Sequence, residues 1–184
     1  MDDLQVRRCS LARVRARLVA RINGTGRVGL FFAEAGSGGI PVLLLHELGG
    51  SSESWRGVIP RLASDRRVIA VDFRCAGRSE KPIGSFELSD LANDIEALLQ
   101  ALGIADRVDV IGAALGSLVG ALLAIRHPAR LRRLMMCAVA PDMAGPTRAY
   151  VAERAEKVRE VGMRGVVEAS LRVPVIVIGH SGRR

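Results

Sequence analysis

The chain has 184 residues, 49% apolar and only 3% aromatic, which suits one folded domain with a core of Ala, Val, Leu and Ile and excludes a disordered chain. Its formal net charge is +8, but the arginines are scattered and no aromatic residues interleave with them to stack on bases, so no nucleic-acid partner is expected. No apolar run reaches the ~20 residues of a bilayer span, so no membrane partner is expected, and three separated cysteines, Cys9, Cys75 and Cys137, fit reduced thiols in a cytoplasm.

The first segment, "MDDLQVRRCSLARVRARLVARI", is rich in arginine and lacks the apolar stretch of a secretory signal. Leu11, Val14, Leu18 and Ile22 recur in it at helical spacing, so residues 1–21 read as a basic N-terminal extension, either an amphipathic helix or a frayed end. From residue 22 to residue 184 the pattern predicts one domain. "VGLFFAEAG" has strand character and runs into the turn "GSGG". "PVLLLH" and "RRVIAVD" are short continuous apolar runs, as expected of strands buried on both faces. Between them, "LGGSSESWRGVIPRLASD" reads as a polar loop and a short helix, and "FRCAGRSEKP" follows as a loop.

The clearest helix is "SFELSDLANDIEALLQALG". Leu88, Leu91, Ala92, Ile95, Leu98, Leu99 and Leu102 line one stripe, and Gly103 is placed to end it. Its acids, Glu87, Asp90, Asp94 and Glu96, read as a solvated face. The strand "RVDVIG", the helix "LGSLVGALLAIRHP" and the strand "RLRRLMMCAVAP" come next. A charged helical segment over 147–171 and a last apolar strand, "VPVIVIG", complete the order. Strands alternating with helices imply a parallel sheet, with ligands at the carboxyl ends of the strands: His46, Asp72, Gly112, Pro141 and Gly179.

Four segments, "LLLHELGGSSESW", "VIAVDFRCAGRSEKP", "VDVIGAALGS" and "RHPARLRRLMM", resemble in order and spacing the α/β-hydrolase family, in particular its small esterases and lactonases similar to 3-oxoadipate enol-lactonases. The resemblance covers residues 22–145 best. It implies an α/β fold: a mostly parallel hydrolase sheet flanked by helices, incomplete at the C-terminus, with a short cap near 142–171. It also implies a small ester or lactone as the only ligand class, and no cofactor or metal.

The family presents its nucleophile on a Gly-x-Ser-x-Gly elbow between strand and helix. Here Gly112, Ala113, Ala114, Leu115 and Gly116 fill those five places, so the nucleophile position carries a methyl group. The resemblance assigns the oxyanion hole to the amides of Leu48 and Leu115, and places His46 and Glu47 beside them. Where the family has glycine, this chain has Glu47, whose bulk and charge oppose a developing oxyanion, and Cys75, whose side chain strains any conformation that suits only glycine. Ser117 reads as a helix serine bonded to a backbone carbonyl rather than a substitute nucleophile. His127, at a helix end, reads as structural. The triad acid and histidine are not found after the last strand. Asp142 and His180 are the nearest alternatives, and neither has a hydroxyl to serve. The sequence therefore predicts a catalytically impaired hydrolase relative. The alternative is a non-catalytic binding module or a decayed gene product, and the apolar last strand is open to self-association as an exposed edge.

Overall fold

The computed structural model describes residues 15–19, 28–139 and 145–171. Residues 1–140 and 141–184 form two compact units. In the first, six strands make one sheet: β1 (Arg15–Val19), β2 (Leu30–Ala35), β3 (Val42–Leu45), β4 (Val68–Val71), β5 (Val108–Ala113) and β6 (Leu131–Cys137), in the spatial order β1-β2-β4-β3-β5-β6. Strands β4, β3, β5 and β6 are parallel, and β2 joins β4, and β1 joins β2, antiparallel. Helices α1 (Ile59–Leu62), α2 (Leu88–Ala101) and α3 (Leu115–Arg126) belong to the same unit.

The apolar runs fold this way because β3 and β4 are packed on both sides. Leu43, Leu45, Ile69 and Val71 meet Leu91, Ile95, Leu98 and Leu99 of α2 and Val119 and Leu123 of α3. Val42, Leu44, Val68 and Ala70 face the other way, onto Trp55, Ile59 and Ala63. Period-two alternation along a strand thus feeds two cores, and no polar position remains for either strand to show to water.

Helix α2 ends as its sequence predicts. Gly103 takes φ 66°, and the Ile104 amide turns back to the Leu99 carbonyl at 2.9 Å, a closure that needs a left-handed residue. At the other end Asp90 accepts the Glu87 amide at 2.8 Å.

Three expectations change. Residues 15–19 of the basic extension are β1, paired with β2 from Arg15↔Glu34 to Val19↔Leu30. The backbone groups that β2 offers on its free side outweigh the helical spacing of the apolar residues. Strand β6 stops at Cys137, because Ala138 turns out of it with φ 53°. The acids of α2 are not one solvated face. Glu87 is exposed, but Asp94 accepts a two-bond fork from Arg74, both at 2.7 Å, and Glu96 is buried under Arg130 at 2.7–3.0 Å. A helical stripe counts apolar residues and does not see arginines arriving from other elements. The expected strand after residue 172, with Asp142 and His180, lies outside the described residues. In the second unit the charged segment forms α4 (Gly145–Leu171), interrupted at Gly162, which has φ 71°.

Burial alone would raise the Glu96 carboxyl, but the Arg130 fork and the Gln100 amide outweigh it and hold its pKa below the ordinary glutamate value. The Arg132 fork holds Asp109 low in the same way, against burial and with help from Arg133 and Arg66. A carboxyl depressed in the folded state stabilises the fold above its unfolded pKa and loses that contribution as the pH falls. Urea midpoints are therefore expected to hold above about pH 5 and to fall below about pH 4. Glu96→Gln should cost about 2 kcal/mol at neutral pH and flatten part of the acid slope; urea titrations from neutral to acid pH check both.

Candidate active site

The carboxyl ends of β3, β4 and β5 carry the residues singled out from the sequence. At the end of β5 the chain reverses into α3 through Ala114, which has φ 44° and ψ −105°. That region suits glycine, and an alanine held there is strained. The bend is fixed by hydrogen bonds on both sides. The Ala114 amide donates to the Cys137 carbonyl at 2.8 Å, and the Ala114 carbonyl accepts from the Ser117 and Leu118 amides at 3.0 and 3.3 Å.

Two glycines let the bend close. A Cβ on Gly112 would lie 2.4 Å from the Gly116 carbonyl oxygen and 2.5 Å from the Ser117 nitrogen. A Cβ on Gly116 would lie 2.1 Å from the Leu45 carbonyl oxygen and 2.9 Å from that of His46. These are backbone contacts and cannot swing aside. They seat the first turn of α3 directly on the end of β3, so Gly112, Ala114, Leu115, Gly116 and His46 come together. Ser117, fully buried, donates to the Gly112 carbonyl at 2.7 Å and accepts the Cys137 amide at 3.1 Å. Its hydroxyl is committed to tying β5 to β6 behind the elbow.

Leu115 is the first residue of α3, where an amide has no acceptor one turn back. Among the described residues neither its amide nor that of Leu48 donates to a protein acceptor. The positive end of the α3 dipole adds to the Leu115 donor. The Leu48 side chain is 74% exposed, so only the backbone of this residue belongs to the fold of the loop.

The loop after β3 is held from below. His46 is buried; its Nε2 accepts the Phe73 amide at 3.1 Å, which leaves Nδ1 to donate to the Glu47 carbonyl at 2.7 Å. Its ring packs on Phe73 with centroids 4.6 Å apart. Both ring nitrogens are used within the scaffold, so His46 is not available as a base. Glu47 accepts the Ser54 hydroxyl at 2.9 Å and lies against Gly50. Its carboxylate is thus tied to Ser54 in the loop that follows.

Asp72, at the end of β4, is buried and ties three segments. One oxygen accepts the Ser52 amide at 2.6 Å and the other the Arg78 amide at 2.8 Å. Gly77, at φ 47°, passes so near that a Cβ would lie 2.0 Å from the Asp72 carboxylate. Ser79, which the sequence reading passes over, links the same site to β2: its hydroxyl donates to the Asp72 carbonyl at 2.6 Å and accepts the Phe31 amide at 2.9 Å. A small polar residue in a loop gives no signal for such a role. Cys75 occupies φ 63°, a left-handed position where glycine would be unstrained. Arg74, beside it, is fixed by the Asp94 fork, which also raises the Arg74 pKa. Among the described residues no group of three or more His, Cys, Asp or Glu side chains stands close enough to hold a metal ion.

Chemically, the apex of the bend carries a methyl group, which has no lone pair with which to attack a carbonyl carbon.

Comparison with known proteins gives a consistent picture. Residues 40–169 match the model of the alpha/beta hydrolase fold family. The chain is 38% identical over 124 residues to a soluble epoxide hydrolase of Corynebacterium sp. strain C12, covering 67% of this chain and 42% of the relative. It is 38% identical over 102 residues to the 2-hydroxymuconate semialdehyde hydrolase of Pseudomonas sp. strain CF600, covering 53% of this chain and 36% of the relative. A thermophilic esterase from Thermogutta terrifontis superposes with a TM-score of 0.74 at 26% identity, covering 84% of this chain and 57% of that one. The chain spans well under half the length of these two curated relatives.

The strain at the elbow is testable. Ala114→Gly should raise stability by about 1 kcal/mol by removing the Cβ from a left-handed position. Gly116→Ala should cost about 3 kcal/mol or more, because its methyl meets a carbonyl that cannot move. Thermal melts of both variants beside the parent chain give the two signs.

Proposed function

We propose, from the premise that this chain belongs to the alpha/beta hydrolase family, that it is a catalytically impaired relative of hydrolases of small carboxylic esters or lactones. The single observation that carries this reading is Ala114, a methyl group at the apex of an otherwise intact elbow. In the complete mechanism a hydroxyl at that apex attacks the carbonyl, while two backbone amides hold the oxyanion. The amides of Leu48 and Leu115, which donate to no acceptor among the described residues, support retention of the second function alone. A carbonyl compound bound there is polarised and not cleaved.

The strained conformation supports descent from a catalytic ancestor. A bend that costs of order 1–3 kcal/mol and carries no hydroxyl is more simply inherited than newly acquired. A binding role for the same pocket is the second reading, favoured by the unengaged amides. The described cysteines, Cys75 and Cys137, are free and exposed, which supports a reducing, cytoplasmic setting. The arginine-rich composition and the bacterial relatives support a bacterial source. Self-association through the edge of the apolar run at 173–178, which lies outside the described residues, is part of this reading.

Three measurements test the proposal. With p-nitrophenyl acetate the chain should show neither a burst nor turnover above buffer, and a fluorophosphonate probe should label no serine. Labelling of the unaltered chain at any serine overturns the reading. The Ala114→Ser variant, assayed beside it, reports whether a base able to activate that hydroxyl is present, and we expect no recovery. Light scattering after size exclusion tests self-association, for which a monomer at high concentration is the adverse result.

A further inference from the structure

Glycines make room at the elbow, but room is not attraction. The contacts of Gly112 and Gly116 limit how near strand and helix can come, and something must hold the chain at that limit against the strain at Ala114. The buried hydroxyl of Ser117 is placed to do so. A serine inside a helix ordinarily bonds a carbonyl about three or four residues back in its own helix. Ser117 instead donates to the carbonyl of Gly112, a residue of β5 five positions back, at 2.7 Å. The apex, Ala114, lies between the two, so this one bond closes a ring across the bend.

The same oxygen reaches the neighbouring strand. It accepts the Cys137 amide at 3.1 Å and lies 3.0 Å from the Cys137 carbonyl oxygen. The hydroxyl has one proton, and the shorter contact, to Gly112, takes the larger share of it. The Cys137 carbonyl in turn accepts the Ala114 amide at 2.8 Å. The ladder between β5 and β6 ends at Cys137, and Ala138 turns away from it at φ 53°. Ser117 therefore grips the strand end that captures the apex amide. Solvent does not reach Ser117, so water cannot stand in for its hydroxyl.

We infer that Ser117 is the positioning residue of the elbow: its hydroxyl holds Ala114 in left-handed torsions and so sets the place of the Leu115 amide that follows. Ser117 touches no reacting atom, and its effect passes through Gly112, Cys137 and Ala114. The proposed function needs that amide in place, but the positioning role does not depend on what the site binds or cleaves. Either can therefore fail while the other stands.

The test is amide hydrogen exchange on the full chain, read residue by residue by NMR, for the parent, for Ser117→Ala and for the double variant Ala114→Gly with Ser117→Ala. In Ser117→Ala the amide at position 114 should exchange about tenfold faster than in the parent, the loss expected for one buried hydrogen bond, while amides in the middle of α2 keep their rates. In the double variant the protection at position 114 should return, because glycine stays in left-handed torsions without being held there. A hydroxyl that served only to join β5 to β6 would be missed equally in both variants, and glycine would rescue nothing. Unchanged exchange at position 114 in Ser117→Ala, or no return of protection in the double variant, overturns the inference. If Ser117→Ala does not fold, recovery of a cooperative melt in the double variant supports the inference, and failure of both variants to fold overturns it.

Discussion

The organisation of the site rests on a contact between two stretches of main chain. Where α3 begins, Gly116 lies against the Leu45 carbonyl with no room for even one carbon atom. Because that approach is made, the first turn of α3 is seated on the end of β3. Because the helix must start so close to the strand, the chain has to turn back within a single residue, and Ala114 absorbs the turn in a conformation its own side chain disfavours. Geometry of this kind does not depend on the side chain at the apex. A hydroxyl there would make no part of the bend, and the bend stands with a methyl group in its place.

A second set of interactions keeps the neighbouring loops in place. Asp72 spends its carboxylate on two backbone amides, and Ser79 passes the constraint on to β2. His46 spends both ring nitrogens in the same layer. These are buried polar groups with their hydrogen-bonding capacity met, and such groups fix one arrangement of loops where apolar packing alone tolerates several. The floor of the site is therefore rigid.

Much of this was legible in the sequence, and the reasons are physical. Continuous runs such as "VLLL" report strands buried twice, and Gly103 reports a left-handed helix end, since each follows from local periodicity or from a single torsion. The elbow is legible because its two glycines are demanded by backbone contacts, and backbone contacts recur wherever the fold does. What stayed hidden depends on distant partners. Glu96 has the look of a solvent residue until Arg130 arrives from another element. Ser79 and Glu47 reveal their roles only through atoms that lie apart in the chain. The strand at 15–19 was concealed by apolar residues that also satisfy a helix, and the free side of β2 decides between the two.

Ala114 also bears on the history and the future of the molecule. Serine differs from alanine by one oxygen atom, so a hydroxyl at this position is the part of such a site most readily supplied by mutation. The torsions at that position are another matter, because they are enforced by a whole layer of neighbours and could not be rebuilt by any one change. As long as those neighbours are kept, the scaffold is a template into which reactivity could be written by a hydroxyl with a proton acceptor within reach.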